Sequence, residues 1–140
     1  MDAAATLKNH NLRVTKIRLA ILQALSDDHQ AKPYGELLVT LGDFDRTTLY
    51  RTLLALIDKG LIHKALEENG ESYYAICGGC TTHTNCTSHA HSHDHIHFKC
   101  IDCGTVECLY QRGEIGLSLP GVAIESLEIT AKGKCLKCTN

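Results

Sequence analysis

Eight cysteines and nine histidines stand out in this chain of 140 residues, and they are not spread evenly. Every Cys falls at or after Cys77, and six of the nine His lie between His83 and His97. Thiolate and imidazole are the ligands that zinc and its transition-metal neighbours prefer, so spacing decides which side chains share an ion. The clearest spacing is Cys100-Ile101-Asp102-Cys103, followed far downstream by Cys135-Leu136-Lys137-Cys138. Each Cys-x-x-Cys turn lets two thiolates reach one ion, and two such turns complete a tetrahedral sulfur shell suited to zinc. Four protein ligands close the site, which makes it structural. The long gap means that the ion pins the end of a carboxy-terminal strand to the strand before it. In minimal peptides such zinc contributes on the order of 10 kcal/mol, a large share for a small domain with few large apolar residues. The competing uses of this spacing are a redox dithiol and an iron–sulfur centre. A thioredoxin-like dithiol follows a strand and opens a helix, a pattern not read here.

A second set is His95-Ile96-His97, two imidazoles on one face of a strand because side chains alternate with period two. They can share an ion with His63 and Cys77, one thiolate and three imidazoles suiting zinc. The alternative is that His63 is a surface strand residue and that His95 and His97 are solvated. A third group is Cys80, His83, Cys86, His89, His91, His93 and Asp94. It is either a defined third site or a solvated loop that binds metal loosely, because ordering a flexible loop costs entropy. Cys77-Gly78-Gly79-Cys80 also has ligand spacing, so Cys77 can belong to either set.

The elements that must position these ligands are legible in the apolar pattern. Val14, Ile17, Ile21 and Leu25 recur at helical spacing, with Thr15 placed as a cap and Ser26-Asp27-Asp28 ending the run. A short second helix follows Pro33, with Tyr34, Leu37, Leu38 and Leu41 on one side and Gly42 as its stop. Asp43 or Asp45 caps a third, whose stripe is Leu49, Leu53, Leu56 and Ile57 and whose other face carries Thr47, Thr48 and Arg51. Leu61 to Leu66 and Ser72 to Ile76 then read as strands of a hairpin, because Asn69-Gly70 supplies the positive φ angles of a tight turn.

Three helices and a hairpin predict a winged helix, which lays its third helix in the DNA major groove. Residues 78–94 are poor in apolar residues and rich in Gly, Ser, Thr and His, as a hinge loop would be. The remainder reads as β-rich: Ile96, Phe98 and Ile101 in one strand; Val122, Ile124, Leu127, Ile129 and Ala131 in a later one; and a weakly helical stretch from Leu109 to Leu119 between them. The expected fold class is α+β, with a DNA-binding domain at 1–77, the loop at 78–94 and a metal-binding α/β domain at 95–140.

Composition excludes other classes. The mean hydropathy is -0.11 and no apolar run approaches the roughly 20 residues of a membrane span. The amino terminus lacks the pattern of a secretory signal, so a cytoplasmic protein is expected. Aromatic residues are only 5% and Trp is absent, which disfavours a base-stacking single-strand binder or an aromatic pocket for an organic substrate. A net charge of -2 leaves any DNA binding to local display of basic residues. The ligand sets leave no acid/base pair beside an open metal position, so an enzyme is not expected.

Taken in order, Asn11-Leu12-Arg13-Val14-Thr15-Lys16-Ile17-Arg18, Arg46-Thr47-Thr48-Leu49-Tyr50-Arg51-Thr52-Leu53, Tyr73-Tyr74, His95-x-His97-x-x-Cys100-x-x-Cys103-Gly104 and Gly133-x-Cys135-x-x-Cys138 are motifs of one family. Over nearly its whole length the chain resembles the ferric uptake regulator (Fur) family of bacterial metal-dependent repressors. The resemblance implies a homodimer, a structural zinc held by four cysteines, a regulatory divalent metal at the hinge, and an A·T-rich palindromic operator of double-stranded DNA. It also implies that Arg13 enters the minor groove, that Tyr50 meets thymine methyls or the backbone, that Arg51 contacts phosphate or base, and that Arg18, Thr47 and Thr48 belong to the same surface. Arg favours the negative potential of a narrow A·T groove, and a tyrosine ring packs well on a thymine methyl.

Cys77 and His63 resemble the zinc-uptake branch, which makes zinc the expected regulatory metal and control of metal-uptake genes the expected role. Iron or manganese is the alternative, with an iron or peroxide sensor using His29 or an acidic residue with His95 and His97. A thiol redox or metal-trafficking protein is the alternative of a different class. The chain departs from the family pattern at Cys108, where many members carry a carboxylate, and in having no His after His97.

Overall fold

A computed structural model of the chain describes residues 2–26, 30–76, 95–110, 118–124 and 128–139, with His95 and Tyr110 described through their backbone alone. His29, Cys77 and the loop ligands Cys80, His83, Cys86, His89, His91, His93 and Asp94 lie outside the described residues.

Four helices and a hairpin occupy the first half. Helix α1 (Ala3–Asn9) was not expected, although its start is legible: Asp2 accepts the N–H groups of Ala4 and Ala5, and three alanines follow. Its one fully buried side chain, Leu7, anchors it to the core. Helix α2 (Lys16–Ser26) begins where Thr15 Oγ1 accepts from the Arg18 N–H at 3.4 Å. A four-residue strand, β1 (Gln30–Pro33), leads directly into α3 (Tyr34–Thr40). Of the two candidate caps for α4 (Arg46–Asp58), Asp45 is the one used, accepting the Thr48 N–H at 3.0 Å and its hydroxyl at 3.1 Å.

Ile21, Leu22, Leu25, Leu37, Leu49, Leu53 and Leu56 are buried in one cluster with Ile62 and Tyr74 of the hairpin, so the predicted stripes of three helices meet over its strands. Full burial of each such side chain stabilises the fold by about 1.5–3 kcal/mol. The hairpin is β2 (Ile62–Glu68) with β3 (Glu71–Ile76), so the strands run up to a two-residue turn. Both turn residues have positive φ, 53° at Asn69 and 77° at Gly70, as a type I′ turn requires.

The second half contributes β4 (His95–Cys100), β5 (Val106–Tyr110), β6 (Thr130–Gly133) and the short helix α5 (Leu136–Thr139). All six strands join in the order β2-β3-β1-β5-β4-β6. β1 is the link: Lys32 and Pro33 pair with Tyr74 and Tyr73 of β3, while Gln30 and Ala31 pair with Glu107 and Val106 of β5. Hydrogen bonding therefore passes from one half of the chain to the other. Between the two parts lies a small second core of Ala31, Ala65, Ala75 and Val106, where three alanines let the hairpin come close to β5.

Several expectations for the second half need correction. Leu109 and Tyr110 belong to strand β5, because Val106, Cys108 and Tyr110 continue the antiparallel pairing with β4; residues 111–117 of the expected helical stretch lie outside the described residues. Ile101 leaves the strand and sits exposed in the turn between Cys100 and Cys103. Val122 and Ile124 form no strand: they follow the Pro120-Gly121 turn, are exposed, and have no ladder partner. Among the described residues the late strand spans Thr130–Gly133, where it runs parallel to β4, and Leu127 lies outside them.

Candidate metal centre

Strand β4 ends at Cys100, and the chain turns back through Ile101-Asp102-Cys103 to Gly104, whose φ of 76° suits the residue that closes the turn. The parallel pairing of β6 with β4 sets Gly133 opposite Cys100, and Gly133 O accepts from Ile101 N at 2.8 Å. Cys135 follows two residues later, and the first turn of α5 brings Cys138 back beside it, with its N–H on Cys135 O at 2.9 Å. All four sulfur atoms lie within 4.8 Å of one another, and Cys103 Sγ is 3.8 Å from Cys135 Sγ. A tetrahedron with Zn–S bonds of about 2.3 Å has sulfur–sulfur edges of about 3.8 Å.

Backbone dipoles favour thiolate here. N–H groups of Cys103 and then Cys135 draw the Cys100 thiol down to about 6, the latter lying 3.4 Å from its sulfur. Thr105 lowers Cys103 through its hydroxyl and its N–H. The opposite shift at Cys138, up to about 12, comes from its neighbours Cys135 and then Cys100. Four thiolates this close repel one another, and a divalent cation among them removes the conflict. Donor type, number and spacing fit a structural zinc site.

A second cluster joins the two halves of the chain. His63 Nε2 lies 3.2 Å from His97 Nε2 and 3.4 Å from Cys108 Sγ. The rings of His63 and His97 are nearly parallel, 24° apart, with centroids separated by 5.2 Å. Register explains the meeting. His97 and Cys108 are direct partners in the β4–β5 ladder and so share a face, and His63 reaches that face from β2, where it pairs with Ala75. With metal–ligand bonds of about 2.0–2.3 Å, tetrahedral N···N and N···S edges are about 3.3 and 3.6 Å, close to those observed. Among the described residues these are the two groups of three or more potential ligands that converge on one point.

Of the predicted hinge set, His63 and His97 are thus brought together. Cys77 and the side chain of His95 lie outside the described residues. Cys108 is the candidate ligand that spacing did not assign. The signal was present in the alternation of Val106, Cys108 and Tyr110, which places Cys108 on one face of a strand. Burial pushes its thiol up to about 11, so a metal ion would have to displace the proton on binding.

No protein-family model and no curated protein sequence matches the chain. Solved structures do. The ferric uptake regulator of Vibrio cholerae is 24% identical, covers 96% of this chain and 100% of its own, and superposes with a TM-score of 0.59. A zinc uptake regulator complexed with zinc and DNA is also 24% identical, with a TM-score of 0.67 over 98% of this chain and 90% of its own. A holo form of the regulator XcZur, at 22% identity, gives 0.65 over 98% and 96%. The chain has the ferric uptake regulator fold.

Within this ferric uptake regulator fold, the residues predicted to meet DNA lie on α4, in the first turn of α2 and just before it. Thr47, Thr48, Tyr50 and Arg51 are all exposed on α4. The Thr48 hydroxyl is engaged with the Asp45 cap, and Tyr50 stands edge-on to Tyr34 with centroids 6.1 Å apart. Arg13 is exposed, whereas the Arg18 guanidinium donates to the Arg13 carbonyl at 2.7 Å and so fixes the backbone that carries Arg13.

Proposed function

We propose that this chain is a metal-responsive, DNA-binding transcriptional repressor that senses zinc, acts as a homodimer and is not an enzyme. The observation that carries the reading is the convergence of His63 with His97 and Cys108, because these ligands come from opposite halves of the chain. The first half, 1–77, would be the winged-helix DNA-binding domain with α4 as its recognition helix, 78–94 the hinge, and 95–140 the dimerisation and metal-binding domain. Bound at the second cluster, zinc would cross-link hairpin to sheet.

Its fourth ligand is Cys77 or His95. Ile76, the last described residue before Cys77, pairs with Ile62 beside His63, and sequence spacing groups Cys77 and His95 with His63 and His97. A thiolate with two or three imidazoles favours zinc over iron or manganese, which prefer harder oxygen ligands. The four-cysteine cluster would hold its zinc permanently and brace β4 against β6.

Fixing the hairpin fixes the three-helix body packed on it, and hence the separation of the two recognition helices in a dimer. Moving a closed population from 1% to 99% takes roughly 5.5 kcal/mol of differential binding, which two sites per dimer supply if each favours closure about a hundredfold. Exposed Leu109, Leu119, Val122 and Ile124 offer the second half an apolar surface for its partner copy. The net charge of -2 keeps non-specific attraction to DNA weak, so affinity follows geometry.

The test is titration of chelator-treated protein with zinc, iron(II), manganese and nickel against A·T-rich palindromic duplexes selected from a random pool. Zinc should give the strongest sequence-specific binding, and binding indifferent to every metal would refute the reading.

A further inference from the structure

The hairpin touches the carboxy-terminal sheet at a second place, far along β2 from the histidine. Glu68, the last residue of β2, accepts from the ammonium groups of both Lys99 on β4 and Lys132 on β6, the latter at 3.0 Å. Lys99 and Lys132 are direct partners in the parallel β4–β6 ladder, so one carboxylate spans two neighbouring strands. The Lys99 ammonium also lies 5.7 Å from the centre of the Tyr73 ring, on the hairpin's other strand.

Partial burial sets this group apart from ordinary surface pairs: the side chains of Glu68 and Lys99 are only 26% and 19% exposed. Lys99 and then Lys132 hold the Glu68 carboxyl below the usual carboxylate range, and Glu68 raises Lys99 in return. Lys99 stands two residues from His97 and shares its face of β4. Glu68 lies five positions along β2 from His63, about 16 Å of extended strand. The hairpin is therefore attached at both ends of β2, with Ala65 and Ala75 packed between on Val106.

We propose that Glu68 is a positioning residue for the hinge metal site: by clasping Lys99 and Lys132 it holds His63 within ligand distance of His97 and Cys108 before metal binds. This rests on the reading of those three residues as a metal site. A site that is only fractionally assembled binds more weakly by that fraction, so loosening the clasp lowers metal affinity although Glu68 touches no ligand. Charge-assisted hydrogen bonds of this kind are among the stronger ones, and a partly buried group is screened less than an exposed one but is still weakened by salt.

The experiment measures zinc affinity of the second site by competition with a chromophoric chelator, with the four-cysteine site already loaded. Glu68→Gln should weaken that affinity about five- to tenfold while the four-cysteine zinc and the melting temperature stay close to wild type. Lys99→Ala with Lys132→Ala should do the same, and adding Glu68→Gln to that pair should change nothing further. Raising NaCl from about 0.05 to 0.5 M should weaken wild type more than Glu68→Gln. Two zinc ions per wild-type chain with undiminished second-site affinity in Glu68→Gln would overturn the positioning role alone. If Glu68→Gln unfolds, the milder Lys132→Ala decides, and unchanged second-site affinity there overturns the role. Wild-type protein that binds a single zinc would overturn the metal-site reading beneath it.

Discussion

Replacing Cys108 by Ser removes one ligand atom with little change in shape. Cys108 is half-buried beside the small core of Ala31, Ala65, Ala75 and Val106, so the hydroxyl should cost the fold about 1 kcal/mol or less. Its effect on the metal should be much larger. Cys108 Sγ stands 3.4 Å from His63 Nε2, the separation expected of two ligands on one ion. Four-ligand zinc sites in small peptides are worth about 10–16 kcal/mol, so one ligand's share is about 2.5–4 kcal/mol, or about 10²- to 10³-fold in Kd.

Cobalt substitution gives the assay. In wild type the second equivalent of cobalt(II) should add thiolate charge-transfer absorption to that of the four-cysteine site. In Cys108→Ser this increment should fall, and zinc competition should show the loss in affinity at the second site alone. A second equivalent that binds with unchanged affinity and an unchanged spectrum would refute the assignment of Cys108 as a ligand.

Other consequences are equally direct. Cys100→Ser should release the first zinc and detach β6 and α5 from β4, seen as loss of the corresponding amide protection in hydrogen exchange; retained protection with metal absent would contradict a structural role. Leu53→Ala, at a fully buried position of α4, should destabilise the fold by about 2–5 kcal/mol in denaturant titration without changing zinc stoichiometry. Asp45 is held below the usual carboxylate range by the Thr48 N–H and then the Thr48 hydroxyl, so its stabilisation is present above the unfolded value near 4 and lost as pH falls through the lower folded value. Asp45→Ala should therefore lower the melting temperature by a few degrees at pH 7, with the difference from wild type vanishing in acid.

Much of this was legible because periodicity survives wherever one face is buried. The stripes Ile17-Ile21-Leu25 and Leu49-Leu53-Leu56 are the core contacts of α2 and α4, and Asn69-Gly70 specified its turn. The four-cysteine set was also readable, since local turn geometry pairs each Cys-x-x-Cys before any long-range packing. What escaped depends on partners distant in sequence. β1 has four residues including a proline, too few to show a period, and exists because β3 and β5 flank it. Cys108 read as a departure from a family pattern, whereas its place opposite His97 follows from a ladder register that no local spacing encodes. Val122 and Ile124 failed in the other direction, an apolar alternation with no strand to receive it.

The decisive measurement is a zinc titration of chelator-treated protein in which metals bound per chain and binding to the selected duplex are followed together, in wild type and in His63→Ala with His97→Ala. DNA binding in wild type should rise with the second zinc and not with the first, while the double variant keeps its first zinc and its dimer but gains no DNA affinity. DNA binding that is complete at one zinc per chain, or that survives in the double variant, would contradict a hinge that metal closes.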